Sequence, residues 1–401
     1  MTPTNLLLVG CGMMGARHVR GLGELQRVCP DRLRLAAVCD RRRVLAEKVA
    51  AEAQELLGLR PAVYTDMAAA LAADPSLQAA DVVTDPRTHD DLVVTLLEAG
   101  LHVLCEKPLA ITVARGLRMV EAADRAGRIL ATGENNRHDP MNRLAQACIR
   151  DGLIGHPSFA LQLSLNSAYT IVGTAWRHKL AAGGVLLDVG IHAAYILEAL
   201  LGPIAAVTAQ AQLVHFTRSG QEYDGTEVTV DVDAEDACTA LLTFESGVQG
   251  HFTVSFASPG ETMFKRLILG TAGTLNLPGD RSGVPPELRR EGEIIPVEQL
   301  PELAPSYQLN EVETALFGNR PTGYSWPYPE TDRKLLAAEF HSFAAAVAGE
   351  REPEADGRQG LRALAIMQAI MESATAQRVV TVAEVLDGSL HEYQDRIEAA
   401  E

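Results

Sequence analysis

A glycine-rich turn directly after the first apolar run constrains the fold of this chain more than any other feature. The run Leu6–Val9 leads into Gly10-Cys11-Gly12-Met13-Met14-Gly15, and a helical pattern follows. In a strand–turn–helix unit of this kind, the first glycine permits a tight turn, the second lets the backbone approach a pyrophosphate, and the third allows the helix to contact the strand. The amides at the start of the helix add a partial positive charge. The sequence therefore predicts that Gly10 to Gly15 bind a dinucleotide.

An acidic residue follows the second predicted strand, at the position where dinucleotide-binding units place the partner of the adenosine ribose. This residue is Asp40, and its carboxylate would accept hydrogen bonds from a 2′-OH and repel a 2′-phosphate. Arg41, Arg42 and Arg43 come next. They can fold over the adenine, pair with a 2′-phosphate, or form a solvated helix start. We expect NAD as the cofactor, with Asp40 and Arg41 beside it, and NADP stays an open alternative.

The first third of the chain alternates short aliphatic runs with helical stretches, a pattern typical of βαβ units on a parallel sheet. The predicted strands are Leu6–Val9, Leu33–Cys39, Asp81–Val83, His102–Leu104 and Ile129–Thr132. The predicted helices between them include Val44–Leu57, Asp66–Ala73, Asp90–Ala99 and Val113–Ala126. We therefore expect a doubly wound α/β domain of the Rossmann dinucleotide-binding type over residues 1–135.

Beyond residue 135 the pattern predicts a second domain, residues 136–401, of the α+β class. The predicted helices are Pro140–Arg150, Gly184–Leu201, Asp332–Ala348 and Gly357–Gln377. The predicted strands of an antiparallel or mixed sheet are Ser158–Ser167, Ala205–Phe216, Glu227–Asp233, Ala237–Glu245, Gly247–Ala257 and Lys265–Leu269. Nine of the 20 prolines lie between Pro278 and Pro329, so we expect this stretch to be an irregular surface excursion.

Length, charge and cysteine usage exclude several classes of protein. A chain of 401 residues is too long for one ordinary core and suggests two domains. The 35 Lys+Arg against 52 Asp+Glu give a net charge of −17, which repels nucleic-acid backbones and anionic lipid surfaces. The opening residues resemble neither a signal peptide nor a membrane span, and the six cysteines form no CxxC pair. We expect a cytoplasmic protein without nucleic acid, membrane or metal partners.

A lysine fixed by a proline follows the predicted strand His102–Leu104. In Cys105-Glu106-Lys107-Pro108, the lysine lies at the carboxyl edge of the sheet, where open α/β sheets bind ligands. There it can donate a hydrogen bond or a positive charge to a substrate oxygen or to the nicotinamide ribose. An isolated Lys-Pro would more often be a surface turn. The position after the strand favours a functional lysine.

The predicted helix Gly184–Leu201 carries polar residues on an otherwise apolar surface. Asp188 and His192 are four residues apart and share a face, which Tyr195 continues. Burying such a pair without partners is costly, and a histidine oriented by a carboxylate can act as an acid or base near neutral pH. A structural Asp–His pair remains the alternative. A metal site is not expected, because no third ligand lies at a recognisable spacing.

Four motifs occur in an order that resembles a known family. They are GCGMMGARH (Gly10–His18), Cys39-Asp40, AGLHVLCEKP (Ala99–Pro108), and Trp176-Arg177 followed by AGGVLLDVGIH (Ala182–His192). The chain resembles the Gfo/Idh/MocA oxidoreductases, which include glucose–fructose oxidoreductase and inositol dehydrogenase. This resemblance implies a Rossmann domain, an α+β domain with a large open mixed sheet, and a homodimer or homotetramer. It also implies hydride transfer between NAD(P) and a hydroxyl-bearing carbon of a polyhydroxylated substrate such as a sugar or cyclitol.

The resemblance assigns roles to single residues. By this similarity Lys107, Asp188 and His192 are catalytic, with His192 accepting the proton, while Arg177 lies near cofactor or substrate and His18 is structural. The family's usual Thr-Pro-Asn-x-x-His run is altered here to Thr84-Asp85-Pro86-Arg87-Thr88-His89. From this region and the Glu-Lys-Pro motif we expect cofactor contacts by Thr84, Pro86, His89, Glu106, Lys107 and Arg177. The tentative substrate residues are Asn135, Arg137, Tyr169, His178 and Tyr195.

Two other functions stay open at this point. Similar scaffolds reduce other carbonyls or imines or oxidise aromatic dihydrodiols. Others are non-catalytic NAD(P)-binding sensors, which tend to lack the lysine or the histidine. This chain has both Lys107 and His192, which favours an NAD(P)-dependent dehydrogenase acting on CH–OH groups.

Overall fold

A parallel sheet forms the first domain of the structure, a computed structural model that describes residues 3–167, 170–222 and 225–401. Its strands are β1 (Thr4–Val9), β2 (Leu33–Cys39), β3 (Ala62–Tyr64), β4 (Ala79–Val82), β5 (His102–Glu106) and β6 (Leu130–Gly133). They lie in the order β3-β2-β1-β4-β5-β6, and every neighbouring pair is parallel. The order reverses direction at β1, so ligands are expected beyond the carboxyl ends of β1 and β4. The predicted Rossmann architecture is confirmed.

Five helices cover the two faces of this sheet. They are α1 (Met13–Val28), α2 (Arg43–Leu57), α3 (Met67–Ala73), α4 (His89–Glu98) and α5 (Val113–Ala126). The chain leaves α2 and α5 through Gly58 and Gly127, both in the left-handed conformation that a helix C-terminus favours. β3 was not predicted, because three partly exposed residues carry too little pattern to distinguish a strand from a loop.

A nine-stranded mixed sheet forms the second sheet of the structure. Its strands are β7 (Pro157–Ser167), β8 (Ile204–Gln212), β11 (Ala237–Phe244), β12 (Gln249–Ser258), β13 (Met263–Gly270), β14 (Thr274–Leu277), β15 (Glu287–Arg290), β16 (Glu293–Ile294) and β17 (Val380–Thr381). Their order is β16-β15-β14-β13-β7-β12-β11-β8-β17. Only the β7–β12 pair is parallel among the described strands of this sheet.

Two corrections concern strands of the second domain. The predicted strand Ala205–Phe216 ends at Gln212, and the next residues turn into a separate hairpin of β9 (Thr217–Gln221) and β10 (Glu227–Asp231). The predicted strand Glu227–Asp233 therefore does not belong to the large sheet. The stretch from Pro278 to Pro329 is also more regular than expected, because β15 pairs with β14 and β16 pairs with β15, which extends the edge of the sheet. Strands of four and two residues carry too little alternation to be predicted from the sequence.

The helices of the second part close the fold over both sheets. They are α6 (Pro140–Arg150), α7 (Gly184–Leu201), α8 (Leu300–Leu303), α9 (Glu311–Phe317), α10 (Tyr328–Val347), α11 (Gly357–Ala376), α12 (Val382–Leu386) and α13 (Glu392–Ala400). α10 packs against α1, where a Cβ on Gly21 would lie 2.6 Å from the Leu336 Cβ. α11 contacts α5 and β6 on one side and α7 and β8 on the other. The closing helices thus hold the two sheets together.

One described segment, Leu180–Leu201, is long and apolar enough to cross a membrane. Within it, 78% of the most apolar window is buried inside the protein. Its side chains pack against α11 and β12, which is the environment of a core helix.

Candidate active site

The glycine turn between β1 and α1 has the shape that a dinucleotide requires. Gly10 has a φ of +100°, and a Cβ there would lie 2.8 Å from the Val83 carbonyl oxygen. A Cβ on Gly15 would lie 2.2 Å from the Gly10 carbonyl oxygen. A Cβ on Gly12, in contrast, would meet no protein atom within 4 Å. No side chain caps the N-terminus of α1, which leaves its first amides available to an anion, and the residues of the turn fit a bound pyrophosphate.

Asp40 lies at the rim of this turn. Its two carboxylate oxygens accept hydrogen bonds from the Cys11 amide and the Arg42 amide, both at 2.8 Å. The carboxylate is therefore held beside the predicted pyrophosphate position, and Met13 and Met14 lie half-buried at the start of α1. Arg41 is exposed.

The segment after β4 reaches the same edge of the sheet. The Thr84 hydroxyl shares a 2.8 Å hydrogen bond with the Thr88 hydroxyl, and Pro86 is buried. The fully buried His89 places Nε2 3.2 Å from the Thr84 carbonyl oxygen and Nδ1 3.0 Å from the Pro108 carbonyl oxygen. Burial lowers the pKa of His89. With no exposed surface for a cofactor, His89 instead connects the loops that follow β4 and β5, which corrects its predicted role.

A buried chain of ionisable groups lies behind the Glu-Lys-Pro motif. His18 Nδ1 is 2.8 Å from an Asp81 oxygen, and His18 Nε2 is 3.1 Å from Glu106 Oε1. Burial disfavours an imidazolium, but the carboxylates of Asp81 and Glu106 outweigh it and hold the pKa of His18 well above its usual value. Glu106 Oε2 accepts the Lys107 amide at 3.1 Å. Glu106 therefore positions Lys107 from a buried site, and its expected direct contact with cofactor is not favoured by this geometry.

Glu339 of α10 also belongs to this buried group. One oxygen of Glu339, Glu106 Oε1 and His18 Nε2 lie within 4.8 Å of one another. Burial, followed by the charge of Glu106, raises the pKa of Glu339 well above its usual value. Both ring nitrogens of His18 already face carboxylates, so the ring offers no free lone pair to a metal ion.

The catalytic candidates Lys107 and Asp188 meet across the two domains. Lys107 Nζ donates to Asp188 Oδ1 at 2.9 Å and to the Asp188 carbonyl oxygen at 2.7 Å. Arg177 Nε donates to Asp188 Oδ2 at 2.7 Å, and its guanidinium lies over the Trp176 ring. Burial opposes ionisation, yet Lys107 and then Arg177 hold the pKa of the Asp188 carboxyl well below its usual value. Arg177 thus binds Asp188, and its contact with cofactor or substrate stays a prediction.

His192 has a different partner from the one expected. The spacing on α7 predicts a pairing with Asp188, but both Asp188 oxygens are engaged by the two cations. Instead, His192 Nδ1 lies 2.6 Å from Glu134 Oε2. Glu134 follows β6 and its side chain is fully buried, whereas the His192 side chain is 20% exposed. The predicted Asp188–His192 pair is therefore wrong, and Glu134 is a site residue that sequence reasoning missed.

The sheet register explains why these groups converge. Glu106 at the end of β5 pairs with Gly133 at the end of β6, so the next residues, Lys107 and Glu134, leave adjacent strands side by side. Neighbouring strands lie about 4.8 Å apart, and four residues of helix rise about 6 Å. The Lys107–Asp188 and Glu134–His192 contacts therefore run side by side between the sheet edge and one face of α7.

Most of the tentative substrate residues lie in the protein interior. His178 is fully buried, and its Nε2 accepts the Val172 amide; Tyr195 is 3% exposed and Asn135 6%. Arg137 pairs with Glu354 at 2.9 Å. The structure gives His178 and Tyr195 no surface for a ligand, which corrects their predicted role. Tyr169 lies outside the described residues.

The proline-rich stretch supplies polar groups that the sequence did not single out. Asp280 accepts hydrogen bonds from Arg266 at 2.7 and 3.0 Å and from Asn142 at 3.0 Å. Burial opposes ionisation of Asp280, but nearby groups lower its pKa. Arg266 has the strongest lowering effect, and His192 is among the further groups that contribute. The next residue, Arg281, lies 3.9 Å from Asp332 of α10. Asp280 lies three residues after β14, in a stretch where the sequence analysis predicted no site residue.

Comparison with known proteins agrees with this geometry. Residues 4–134 match the model of an oxidoreductase family with an NAD-binding Rossmann fold, and residues 142–276 match the GFO/IDH/MocA C-terminal domain. The chain is 30% identical over 322 residues to 1,5-anhydro-D-fructose reductase of Ensifer adhaerens, covering 78% of this chain and 82% of the relative. The chain belongs to the Gfo/Idh/MocA oxidoreductase family.

Further relatives of this Gfo/Idh/MocA oxidoreductase match over most of its length. It is 28% identical over 378 residues to D-apiose dehydrogenase of Paraburkholderia graminis, covering 93% of this chain and 88% of the relative. The crystal structure of an NAD binding oxidoreductase from Klebsiella pneumoniae superposes with a TM-score of 0.78 at 26% identity, covering 95% of this chain and 99% of that one. The predicted family, α/β fold and NAD-binding oxidoreductase class are confirmed.

Proposed function

We propose that this protein is an NAD-dependent dehydrogenase that oxidises a secondary alcohol on a sugar, a cyclitol or a similar polyhydroxylated compound, or reduces the corresponding ketone. The observation that carries the proposal is that Lys107 and Glu134 leave the adjacent strands β5 and β6 and contact Asp188 and His192, four residues apart on α7. The relatives named for D-apiose and 1,5-anhydro-D-fructose support a carbohydrate substrate.

The cofactor side of the site favours NAD over NADP. The turn from Gly10 to Gly15 and the amides of α1 would hold the pyrophosphate, and Asp40 would accept the ribose 2′-OH. Its carboxylate would repel a 2′-phosphate, although Arg41 lies close in sequence. The half-buried Thr84 and the cation Arg177 remain candidates for contacts on the nicotinamide side. When bound, the nicotinamide supplies the acceptor for the substrate hydride.

Lys107 acts on the substrate oxygen. An ammonium has three N–H donors, and two of those on Lys107 are used by the Oδ1 and carbonyl oxygens of Asp188. The third can donate to the reacting oxygen and offset its developing negative charge. Removing one such preorganised donor typically costs about 10²–10³ in rate. Asp188 and Arg177 keep the ammonium in place.

His192 takes the proton of the substrate hydroxyl. Nδ1 is bound to Glu134, so Nε2 is the nitrogen left for the substrate. The partial exposure of this side chain leaves room for that contact. A positioned general base contributes about 10²–10⁴ to the rate.

A substrate panel tests the proposed function. Purified protein is mixed with NAD and D-apiose or myo-inositol, or with NADH and 1,5-anhydro-D-fructose, and the absorbance of reduced nicotinamide is followed. We expect turnover of at least one compound, loss of turnover in Lys107→Ala and His192→Ala, and unchanged NAD affinity in both variants. NAD-dependent turnover by either variant at the wild-type rate would contradict the assigned roles. A protein that binds NAD but turns over no compound of a wider polyol panel would favour the sensor function.

We also propose that the open face of the large sheet binds a second copy of the chain. Leu161 and Leu163 on β7 and Leu267 on β13 lie partly exposed on the face opposite α7, and Leu241 on β11 is 60% exposed. Uncovered apolar faces of this kind are typical of protein interfaces. Light scattering on the purified protein should give the mass of a dimer or tetramer, and Leu241→Asp should lower it. We also retain the proposed domain division near residue 135. We further propose a cytoplasmic location, which the six free cysteines support.

A further inference from the structure

Glu134 occupies a position that the resemblance to the family did not assign. It follows β6 at the carboxyl edge of the parallel sheet, and its side chain has no solvent exposure. Glu134 Oε1 accepts the Asn136 amide at 3.1 Å, and Oε2 lies 2.6 Å from His192 Nδ1. Both carboxylate oxygens are therefore used, and one of them faces the proposed proton acceptor.

Asp188 does not orient His192 in the structure. Its oxygens Oδ1 and Oδ2 are bound to Lys107 and Arg177, at 2.9 and 2.7 Å. A carboxylate that already binds two cations is also a weaker partner for a third positive charge on His192. Asp188 therefore binds the Lys107 ammonium, and Glu134 contacts the His192 imidazole.

We propose that Glu134 is the positioning residue for the reaction, because its carboxylate fixes His192 with the proton on Nδ1 and Nε2 facing the substrate hydroxyl. This inference rests on the proposed dehydrogenase function. In the oxidation, the substrate O–H bond breaks and its proton goes to His192 Nε2. The C–H bond on the same carbon breaks, and its electron pair leaves with the hydride for the nicotinamide. Glu134 gains no proton but stabilises the imidazolium that forms.

The charges around the pair favour this arrangement. Asp280, held by Arg266, adds a second negative charge near His192. Asp188 offsets one of the two positive charges of Lys107 and Arg177, which disfavour an imidazolium. A proton transferred to His192 therefore finds its nearest counter-charge in Glu134, whose Oε2 lies 2.6 Å from Nδ1.

The Glu134→Gln variant keeps the size of the side chain and removes its charge. Histidine ¹⁵N NMR of the apo protein, recorded with neutral rings, reports which nitrogen of His192 carries the proton, with His192→Gln used to assign the signal. We expect Nδ1–H in the wild type. In steady-state assays with the best compound of the panel, we expect kcat of Glu134→Gln to fall about 10²–10³-fold, within the range of general-base effects, while KM and NAD affinity change less than threefold.

Glu198→Gln is the matched control, because Glu198 is a carboxylate on the same helix α7 that binds Arg362 and the Ile204 amide away from the cleft. It should leave the His192 tautomer and kcat unchanged. The inference is overturned if wild-type His192 carries its proton on Nε2, or if Glu134→Gln retains kcat within threefold. If the wild type turns over no compound, the proposed function has failed, and the tautomer of the apo protein alone decides the role of Glu134.

Discussion

The ion cluster around Asp188 makes a quantitative prediction about stability. Asp188 binds both Lys107 and Arg177, and the side chains of Asp188, Lys107 and Arg177 are 8%, 14% and 15% exposed. Asp188→Asn removes the negative charge that both cations share in a largely buried space. Breaking a buried ion pair costs about 3–5 kcal/mol. Because Lys107 keeps its 2.7 Å bond to the Asp188 carbonyl oxygen, we expect the lower end, about 3 kcal/mol.

Urea denaturation followed by tryptophan fluorescence and circular dichroism measures this loss. The control is Asp124→Asn, which breaks the Arg358–Asp124 pair on the surface, where the side chains are 66% and 55% exposed. An exposed pair contributes about 0–1 kcal/mol. Asp188→Asn should therefore destabilise the protein several times more than Asp124→Asn. Equal losses in the two variants would refute the reasoning that the cluster is a buried, mutually dependent set of charges.

Three further predictions follow from single residues. Gly12→Ala should fold normally but bind NAD poorly, whereas Gly15→Ala should lower the melting temperature, because only a Cβ at Gly15 meets a protein atom, at 2.2 Å. Thermal-shift assays with and without NAD distinguish the two variants. Equal melting temperatures and equal NAD responses would contradict the loop geometry. Asp40→Ala should weaken NAD binding and improve NADP binding, since a 2′-phosphate is no longer repelled. Titration calorimetry measures both affinities, and an unchanged preference for NAD over NADP would contradict this role of Asp40. Burial and, after it, the charge of Arg218 lower the pKa of His178 from 6.5 to about 4. The neutral ring therefore stabilises the fold above pH 6.5, and this contribution is lost as the pH falls towards 4. The melting temperature of His178→Gln should fall less than that of the wild type between these pH values, and parallel curves would exclude the effect.

Local sequence signals determined the helices well. Val113–Ala126, Pro140–Arg150 and Gly184–Leu201 begin and end at the predicted residues, because an apolar period, a proline at the first turn or a glycine at the end acts within a few residues. The edge strands β15 and β16 were missed for the opposite reason. With four and two residues, they carry too little alternation to be told from a loop by local pattern.

The site was predictable as a location but not as a set of partners. The carboxyl edge of the sheet and one face of α7 follow from the motifs, and Lys107 and Asp188 are in contact there, while His192 contacts Glu134. A spacing of four residues shows only that Asp188 and His192 share a face. It cannot show that cations from two other segments engage Asp188 first. Glu134 carried a positional signal, an acid directly after β6, but the adjacent Lys107 is evident only from the β5–β6 register.

A crystal structure of the protein with NADH and a substrate from the panel tests the central claim most directly. The distances to measure are those from the reacting substrate oxygen to Lys107 Nζ and to His192 Nε2. The account predicts that both lie within hydrogen-bonding reach, about 2.6–3.2 Å, with the same carbon facing the nicotinamide. A substrate bound against the nicotinamide with that oxygen out of reach of either group would contradict it.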